Sequence, residues 1–183
     1  MPIENKNRLV VDFLYLDLSV CTRCQESENI LDDSLQTLID ILGSIGHKVE
    51  LNKIFIETKE QAIKHQFISS PTIRINGRDI QMDIKESYCE SCSSLANDAS
   101  IYCRTWNFKG KEYSSPPQAL IIDAILNEIY SGKNTVKNNA LKEQEFKLPE
   151  NLKEYFSNKD QLCANVNKLP KTKDSCCESN GCC

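Results

Sequence analysis

The sequence predicts an α/β fold with a central mixed sheet flanked by helices, and three observations carry that prediction. Short apolar runs alternate with stretches whose apolar residues recur at helical spacing. The resulting order is strand–helix–strand–helix–hairpin–helix, which is typical of helices packed on a sheet. A cysteine-containing insertion, roughly residues 85–114, separates the hairpin from the last predicted helix.

The first half of the chain predicts two strands and two helices. Residues 8–18 are mostly apolar, with Val, Phe and Tyr, and predict a buried strand. Apolar residues then recur at steps of four and three over residues 31–45, which predicts one face of an amphipathic helix ending near Gly46. Residues 47–57 alternate in part and predict a second strand, followed by a short polar helix at residues 59–65.

Two hairpins come next. The stretch PTIRI, residues 71–75, predicts a third strand, and Asn76-Gly77 is a strong two-residue turn signal. We therefore expect residues 78–82 to pair with the third strand. Inside the insertion, aromatic residues flank Lys109-Gly110, which predicts a second hairpin turning at that dipeptide.

The helix after the insertion is predicted over residues 114–130. Ser115 and Gln118 have the spacing of a capping box, and Pro116 stands at the expected first helical position. An apolar face recurs along the rest of the stretch, so this helix is expected to pack on the sheet.

The domain boundary is predicted near residue 132, where the composition changes. Residues 1–132 form the expected domain, and Asn and Lys dominate the residues after it. The remainder, residues 133–183, is therefore expected to be a flexible, cysteine-containing extension. Within it, only the stretch LPENLKEYF predicts a short helix that docks on the domain.

Composition excludes several classes of function. The formal net charge is −4, and no cluster of Lys and Arg suggests a nucleic-acid partner. No run approaches the ~18 apolar residues that span a bilayer, and the N-terminus lacks a secretory signal. We expect a cytoplasmic protein with no membrane partner. Its ten cysteines accompany a chain that can build a core, which favours redox-active or metal-binding thiols over a disulfide scaffold.

The first cysteine motif is Cys21-Thr22-Arg23-Cys24, between a predicted strand and a predicted helix. The partial positive charge of a helix N-terminus stabilises a thiolate, and Arg23 adds charge nearby. Cys21 is therefore the expected nucleophile toward a disulfide, and Cys24, one turn later, the resolving thiol. A pair that binds zinc, or that only packs, remains open.

The position of Pro71 adds a second element to this motif. It stands fifty residues after Cys21, in the sequence SSPT at the start of the third strand. With the order of elements, it makes residues 8–131 resemble the thioredoxin-like superfamily. The resemblance implies a cis proline that faces Cys21 and Cys24 and holds a substrate backbone, so it assigns all three residues to a catalytic site. An ordinary turn proline remains the alternative.

A closer resemblance rests on four blocks of sequence. The blocks are LDLSVCTRCQ, SSPTIRINGRDI, CESC and CRTW. They are similar to those of a small bacterial and archaeal thioredoxin-like family of unknown function. The resemblance implies the fold and the importance of the blocks, and it implies no reaction. The chain has no tryptophan before the first motif and no Gly-Pro within it, which separates it from the general disulfide reductase thioredoxin.

The second cysteine set lies in the insertion. Cys89 and Cys92 form another CxxC, and Cys103 comes eleven residues later. The spacing fits part of a zinc site, but a tetrahedral site takes four ligands, and Cys163 or a tail cysteine would have to complete it. A zinc or other thiophilic ion, a second dithiol that relays electrons to the first, and structural thiols all remain open.

The chain ends in two adjacent cysteine pairs. Adjacent cysteines do not bond easily to each other, so they are better placed to chelate a soft ion or to offer a thiol to a partner. In composition this tail resembles tails on proteins of arsenic and mercury handling. The candidate tail ligands are Cys176, Cys177, Cys182 and Cys183.

These motifs indicate two functions. The first is a thiol–disulfide oxidoreductase that uses the Cys21–Cys24 dithiol on protein or small-molecule thiols and disulfides. The alternative is a binding or delivery protein for a soft metal or metalloid, such as Zn, Cu(I), As(III) or Hg, without turnover. Zinc or another thiophilic ion is then the expected cofactor, and metalloid-handling proteins are the expected partners.

Overall fold

The described part of the chain contains two sheets and five helices. The computed structural model describes residues 7–95, 100–131 and 146–166, with the backbone alone for residues 95 and 160–166. The first half of this part comprises β1 (Arg8–Tyr15), α1 (Thr22–Ser44), β2 (Lys48–Phe55), α2 (Lys59–Lys64), β3 (Thr72–Ile75) and β4 (Arg78–Asp79). The second half comprises β5 (Lys85–Tyr88), α3 (Glu90–Leu95), β6 (Tyr102–Phe108), β7 (Lys111–Tyr113), α4 (Gln118–Ser131) and α5 (Glu150–Val166).

The larger sheet is mixed and has the strand order β2-β1-β3-β4. Strand β1 runs parallel to β2 and antiparallel to β3, and β4 is antiparallel to β3. The predicted α/β class with a central mixed sheet is therefore confirmed. None of the helices in the described residues is long and apolar enough to cross a membrane.

Strand β1 divides the apolar core into two parts. Side chains of successive strand residues point to opposite faces of a sheet. Val11 and Phe13 pack on one face, in a cluster that contains buried residues of α1 and α4. Leu14 and Leu16 lie in a second cluster, which contains the described cysteines and buried residues of α5. The cysteines are therefore part of a core, and they do not line an open cleft.

Both predicted hairpins are present. The turns place Asn76 and Gly77 at φ of 50° and 79°, and Lys109 and Gly110 at 52° and 77°, the left-handed region that such turns require. The first hairpin is shorter than expected, because β4 ends at Asp79. The carboxylate of Asp79 accepts a hydrogen bond from the backbone N–H of Gln81, which turns the chain away from the sheet.

The insertion forms a sheet of its own, with the order β5-β6-β7 and antiparallel pairing throughout. Helix α3 lies between β5 and β6 in the sequence. Residues 103–106 of β6 are all buried. The backbone N–H of Arg104 donates to the carbonyl of Ser70 at 2.7 Å, so the insertion is joined to the loop before β3. The Arg104 guanidinium also forms an ion pair with Asp79 at 2.7 Å.

The start of α4 differs from the prediction. The helix begins at Gln118, and the hydroxyl of Ser115 donates to the Glu26 carboxylate at 2.7 Å. The Gln118 side chain donates to the hydroxyl of Thr37 at 3.4 Å. The predicted capping box, with Pro116 at the first helical position, is therefore wrong, because Gln118 itself is the first helical residue. Both side chains instead bond to α1 and join the two helices.

Helix α5 lies in the C-terminal part of the chain, where the sequence predicts one short helix. The short helix expected in LPENLKEYF is present, but it extends over 17 residues. Its apolar side chains pack against the cysteine-containing core, and the buried ones here and just before the helix are Leu148, Leu152, Tyr155 and Phe156. The helix expected to dock at this stretch is therefore present and longer than predicted. The insertion was expected before the last helix. It lies before α4, and α5 follows α4 as one further helix.

Candidate metal and thiol site

Four cysteines from distant parts of the sequence lie together in the structure. The sulfur atoms of Cys21, Cys89, Cys92 and Cys103 are all within 4.8 Å of one another, and we call this group the four-cysteine site. Cys21 Sγ is 4.0 Å from Cys89 Sγ, and Cys103 Sγ is 3.3 Å from Cys92 Sγ. All four residues are buried, and none is more than 3% exposed.

The insertion supplies three of these sulfurs from one compact unit. Cys89 comes directly after β5, Cys92 lies one turn later on α3, and Cys103 lies on β6. The N–H of Cys89 donates to the carbonyl of Ile101 at 2.9 Å, which joins the start of α3 to the end of the adjacent loop. Cys21 comes from the part of the fold that carries the larger sheet, where it occupies the N-cap position of α1. The site therefore forms only when the insertion docks on α1.

Arg23 connects these two halves. Its guanidinium donates to the carbonyl of Tyr88 at 2.8 Å and to the hydroxyl of Ser87 at 2.9 Å. It also donates to the carbonyls of Ser87 and Cys103, each at 3.3 Å. One side chain between Cys21 and Cys24 therefore holds the backbone that precedes Cys89 and the backbone of Cys103.

Cys24 is close to the site but is not one of the four clustered sulfurs. Its Sγ lies 3.4 Å from the hydroxyl of Ser70, and that hydroxyl accepts a hydrogen bond from the N–H of Leu16 at 3.1 Å. The peptide bond between Ser70 and Pro71 is cis, so the predicted conformation of Pro71 is confirmed. The loop around Pro71 thus contacts the end of β1, Cys24 and, through the carbonyl of Ser70, strand β6.

Helix α5 covers the cysteine-containing core. Asn151 accepts a hydrogen bond from the N–H of Tyr102 at 3.0 Å and donates to its carbonyl at 2.8 Å. Asn151 therefore pairs with β6 much as a strand residue would. Leu152 and Tyr155 are each 1% exposed and pack in the cluster that contains the cysteines. Burial is the largest cause that raises the pKa of Tyr155.

The clustered thiols shift each other's pKa values. Hydrogen bonds from Cys103, and then from Cys24, Cys89 and Cys92, hold the pKa of Cys21 far below its ordinary value. The pKa values of Cys24 and Cys103 are raised, because their hydrogen bonds to Cys21 favour their protonated forms. Of these thiols, Cys21 is therefore the one whose ionisation the neighbouring thiols favour most. The largest causes are neighbouring thiols, whereas the sequence indicates the helix N-terminus and Arg23.

The remaining two thiols of the site differ from each other. The hydrogen bond with Cys103 is the largest cause that lowers the pKa of Cys89, to about 7. For Cys92, the hydrogen bond with Cys103 lowers the pKa, but those with Cys21 and Cys89, together with burial, raise it overall. Within the site, the pKa values of Cys21 and Cys89 are thus lowered, and those of Cys92 and Cys103 are raised.

The sulfur separations fit a single tetrahedral ion. With Zn–S bonds of about 2.3 Å, tetrahedral geometry places the sulfurs about 3.8 Å apart. The separations of 3.3 and 4.0 Å, and the limit of 4.8 Å for the whole group, bracket that value. The five described cysteines are free thiols. The arrangement is compatible with metal binding and with thiol redox chemistry.

The structure brings together residues that the sequence assigns to separate sites. Cys21, the expected nucleophile, lies with Cys89, Cys92 and Cys103, the expected incomplete metal set. The side chain of Cys163, a candidate fourth ligand, lies outside the described residues. So do all four predicted tail ligands, Cys176, Cys177, Cys182 and Cys183.

Sequence reasoning missed three contributors to the site. They are the Arg23 contacts to the insertion, the hydroxyl of Ser70 beside Cys24, and the cover formed by Tyr155. Two CxxC motifs in one chain are a known zinc signal, and they could have indicated Cys21 as the missing ligand. No sequence signal indicated the Arg23 contacts, the Ser70 hydroxyl or the Tyr155 cover, because each depends on how distant elements dock.

Comparison with known proteins places the chain in a family without giving it a reaction. No curated protein and no solved structure matches the chain. The comparisons name no thioredoxin-like superfamily. The α/β fold class of the chain is compatible with that superfamily. A family model described as a domain of unknown function (DUF2703) matches residues 9–125, a range that contains all five described cysteines. Since that match covers more than half of the chain, the protein belongs to the DUF2703 family.

Proposed function

We propose that the protein binds one thiophilic metal ion through Cys21, Cys89, Cys92 and Cys103. The observation that carries the proposal is the mutual approach of four buried sulfurs to within 4.8 Å. Paired thiolates select soft or borderline ions such as Zn²⁺ and Cu(I). Four sulfurs around one centre suit the tetrahedral preference of Zn²⁺, so zinc is the reference ion for the proposal.

The burial of the cysteines supports metal binding over catalytic turnover on disulfides. Cys21 and Cys24 are 0% exposed, and residues of α5 lie in the same apolar cluster. A disulfide on another protein would have to reach a sulfur that the fold covers. An ion that remains in place needs no such access, and an apolar surrounding protects metal thiolates from water. The soft-metal alternative is therefore the function that the geometry supports best.

Metal binding would also fasten the insertion to the domain. The ion would connect Cys21 at the start of α1 to Cys103 on β6, which Arg23 already joins by hydrogen bonds. Because the ligands come together only in the folded chain, binding free energy becomes folding free energy. We expect bound zinc to raise the thermal stability of the protein.

The test is a metal titration on chains in which Cys163 and the four tail cysteines are replaced by serine. Co²⁺ reports thiolate ligation through its charge-transfer absorption, and Zn²⁺ then displaces it. We expect one equivalent per chain. Cys103→Ser should weaken binding by about 100-fold or more, because one ligand is lost. Cys24→Ser should leave binding within about threefold of the parent, because Cys24 is not among the four sulfurs. Equal losses in the two variants would refute the proposed ligand set.

A thiol–disulfide oxidoreductase is the second candidate, and one observation favours it. Cys21 occupies the N-cap position of α1 and Cys24 lies one turn later, and the pKa of Cys21 is lowered while that of Cys24 is raised. Such a pair suits a nucleophile and a resolving thiol. Metal-free protein that reduces insulin disulfides, with Cys21→Ser inactive, would support this candidate. Absence of turnover beside stoichiometric metal binding would count against it.

The tail and the cellular setting belong to the same proposal. Free thiols persist in a reducing compartment, which is the basis for a cytoplasmic setting. The tail pairs are candidates for capturing a soft ion, or for exchanging it with metalloid-handling proteins or small thiols. We expect a chain that ends at Asp174 to keep the four-cysteine site. If its zinc affinity falls as far as that of Cys103→Ser, the tail supplies a ligand and the proposed set is wrong.

A further inference from the structure

We infer that the four-cysteine site releases its ion when Cys21 forms a disulfide with Cys24. The inference rests on the proposed function, and it adds the regulation of the same site. Cys21 belongs both to the metal site and to the first CxxC motif. A sulfur in a disulfide is no longer a thiolate ligand, so metal binding and the disulfide exclude each other.

The position of Cys24 makes it the partner in this exchange. It lies one helical turn after Cys21, which occupies the N-cap position of α1, and both side chains are fully buried. Its sulfur is outside the group of four and contacts the hydroxyl of Ser70 at 3.4 Å. In the loaded protein Cys24 is therefore the described thiol that the ion does not hold, and its sulfur is available to attack.

Another pair of sulfurs is also close. Cys92 and Cys103 lie 3.3 Å apart, and a disulfide between them would also remove ligands. Both are ligands, however, so each would have to leave the ion before the bond could form. The exchange through Cys24 removes one ligand only. The three cysteines of the insertion remain thiols, and reduction of the disulfide restores Cys21 as the fourth ligand.

The oxidant is a peroxide, a class small enough to reach a buried sulfur. The Cys21 thiolate attacks hydrogen peroxide, an S–O bond forms, the O–O bond breaks, and hydroxide leaves. The Cys24 sulfur then attacks the Cys21 sulfur, the S–S bond forms, the S–O bond breaks, and a second hydroxide takes the thiol proton and leaves as water. Two electrons pass from the two sulfurs to the peroxide. The ion loses its bond to Cys21 and is captured by a chelator.

The experiment compares zinc-loaded wild type with Cys24→Ser in the full chain. Hydrogen peroxide is added beside a chromophoric zinc chelator, and peptide mass spectrometry locates the disulfides. We expect the wild type to release one zinc per chain with a Cys21–Cys24 disulfide, and to bind zinc again after reduction. Release from Cys24→Ser should be slower by about tenfold or more, because the intramolecular attack is lost. Cys24→Ala provides a second non-thiol variant if the serine impairs folding.

The outcomes separate the inference from the proposed function. A wild-type chain that does not load zinc overturns both. A chain that loads zinc, and in which both Cys24 variants release it as fast as the wild type, overturns the inference alone. A disulfide between Cys92 and Cys103 as the main product of release does the same.

Discussion

Replacing Arg23 by glutamine should weaken zinc binding although Arg23 is not a ligand. Its guanidinium holds the backbone of Ser87, Tyr88 and Cys103, and the Cys21 ligand lies two residues before it. Without these contacts the insertion is less firmly held against α1 in the metal-free protein. The free energy that brings the two halves of the site together must then be supplied by metal binding.

The size of the effect can be worked from the contacts. Hydrogen bonds from a charged donor contribute about 1.5–3 kcal/mol each. Two Arg23 contacts have ordinary lengths of 2.8 and 2.9 Å, and the two at 3.3 Å are weaker. Because the side chain is only partly buried, water replaces some of what is lost. We therefore expect about 2–3 kcal/mol, which is about 30- to 150-fold in zinc affinity.

The assay is competition for zinc against a chromophoric chelator at fixed pH. Lys53→Gln is the matched control, because Lys53 also bridges to α1, through Glu28 and Asp32 at 2.8 and 2.9 Å, but away from the insertion. Arg23→Lys keeps the charge with a single donor group and should give an intermediate affinity. The reasoning is refuted if Arg23→Gln binds zinc as tightly as the wild type, or if Lys53→Gln loses as much.

Three further predictions concern pH, the cover and the buried ion pair. The pKa of Cys21 is held far below its ordinary value, that of Cys89 is lowered to about 7, and those of Cys92 and Cys103 are raised. Zinc should therefore displace about two protons well above pH 7 and about three well below it, so zinc affinity should fall more steeply with falling pH below 7. Calorimetry in buffers of different ionisation enthalpy measures the number of displaced protons, and a number that does not change with pH contradicts this prediction. Leu152→Ala should lower the free energy with which α5 docks on the domain by about 2–4 kcal/mol, because Leu152 is buried. Alkylation of the metal-free cysteines should then be faster by about tenfold or more. An unchanged alkylation rate would show that α5 does not protect them. Asp79→Asn should lower the free energy of unfolding in urea by about 3–5 kcal/mol, because it leaves the fully buried Arg104 without its carboxylate; adding Arg104→Met should recover part of that loss, and a larger loss in the double variant would contradict the reasoning.

Local patterns in the sequence predicted the elements of the fold well. The apolar run at residues 8–18, the four-three spacing over residues 31–45 and the turn signals at Gly77 and Gly110 each correspond to an observed strand, helix or hairpin. These features depend on neighbouring residues, which the sequence displays directly. The capping box at Ser115 failed because the helix begins three residues later, at Gln118, while the Ser115 side chain contacts Glu26 of α1.

The site was predicted in its parts but not in its assembly. Both CxxC motifs and Cys103 are evident from their spacing, and the cis peptide bond before Pro71 was expected. Cys21 lies close to the insertion because the β5-β6-β7 sheet docks against α1. Arg23 of α1 and the backbone of β6 make that contact. Spacing along the chain carries no information about such docking. For the same reason, burial under α5 could not be predicted, although it decides how accessible the thiols are.

The measurement that tests the central claim most directly is X-ray absorption at the zinc edge. The sample is zinc-loaded protein in which Cys24, Cys163 and the four tail cysteines are replaced by serine, so that the four-cysteine site holds the remaining thiols. The proposal predicts one zinc per chain with four sulfur neighbours at about 2.3 Å. A first shell with two or fewer sulfurs, completed by nitrogen or oxygen, would contradict a metal site built from Cys21, Cys89, Cys92 and Cys103.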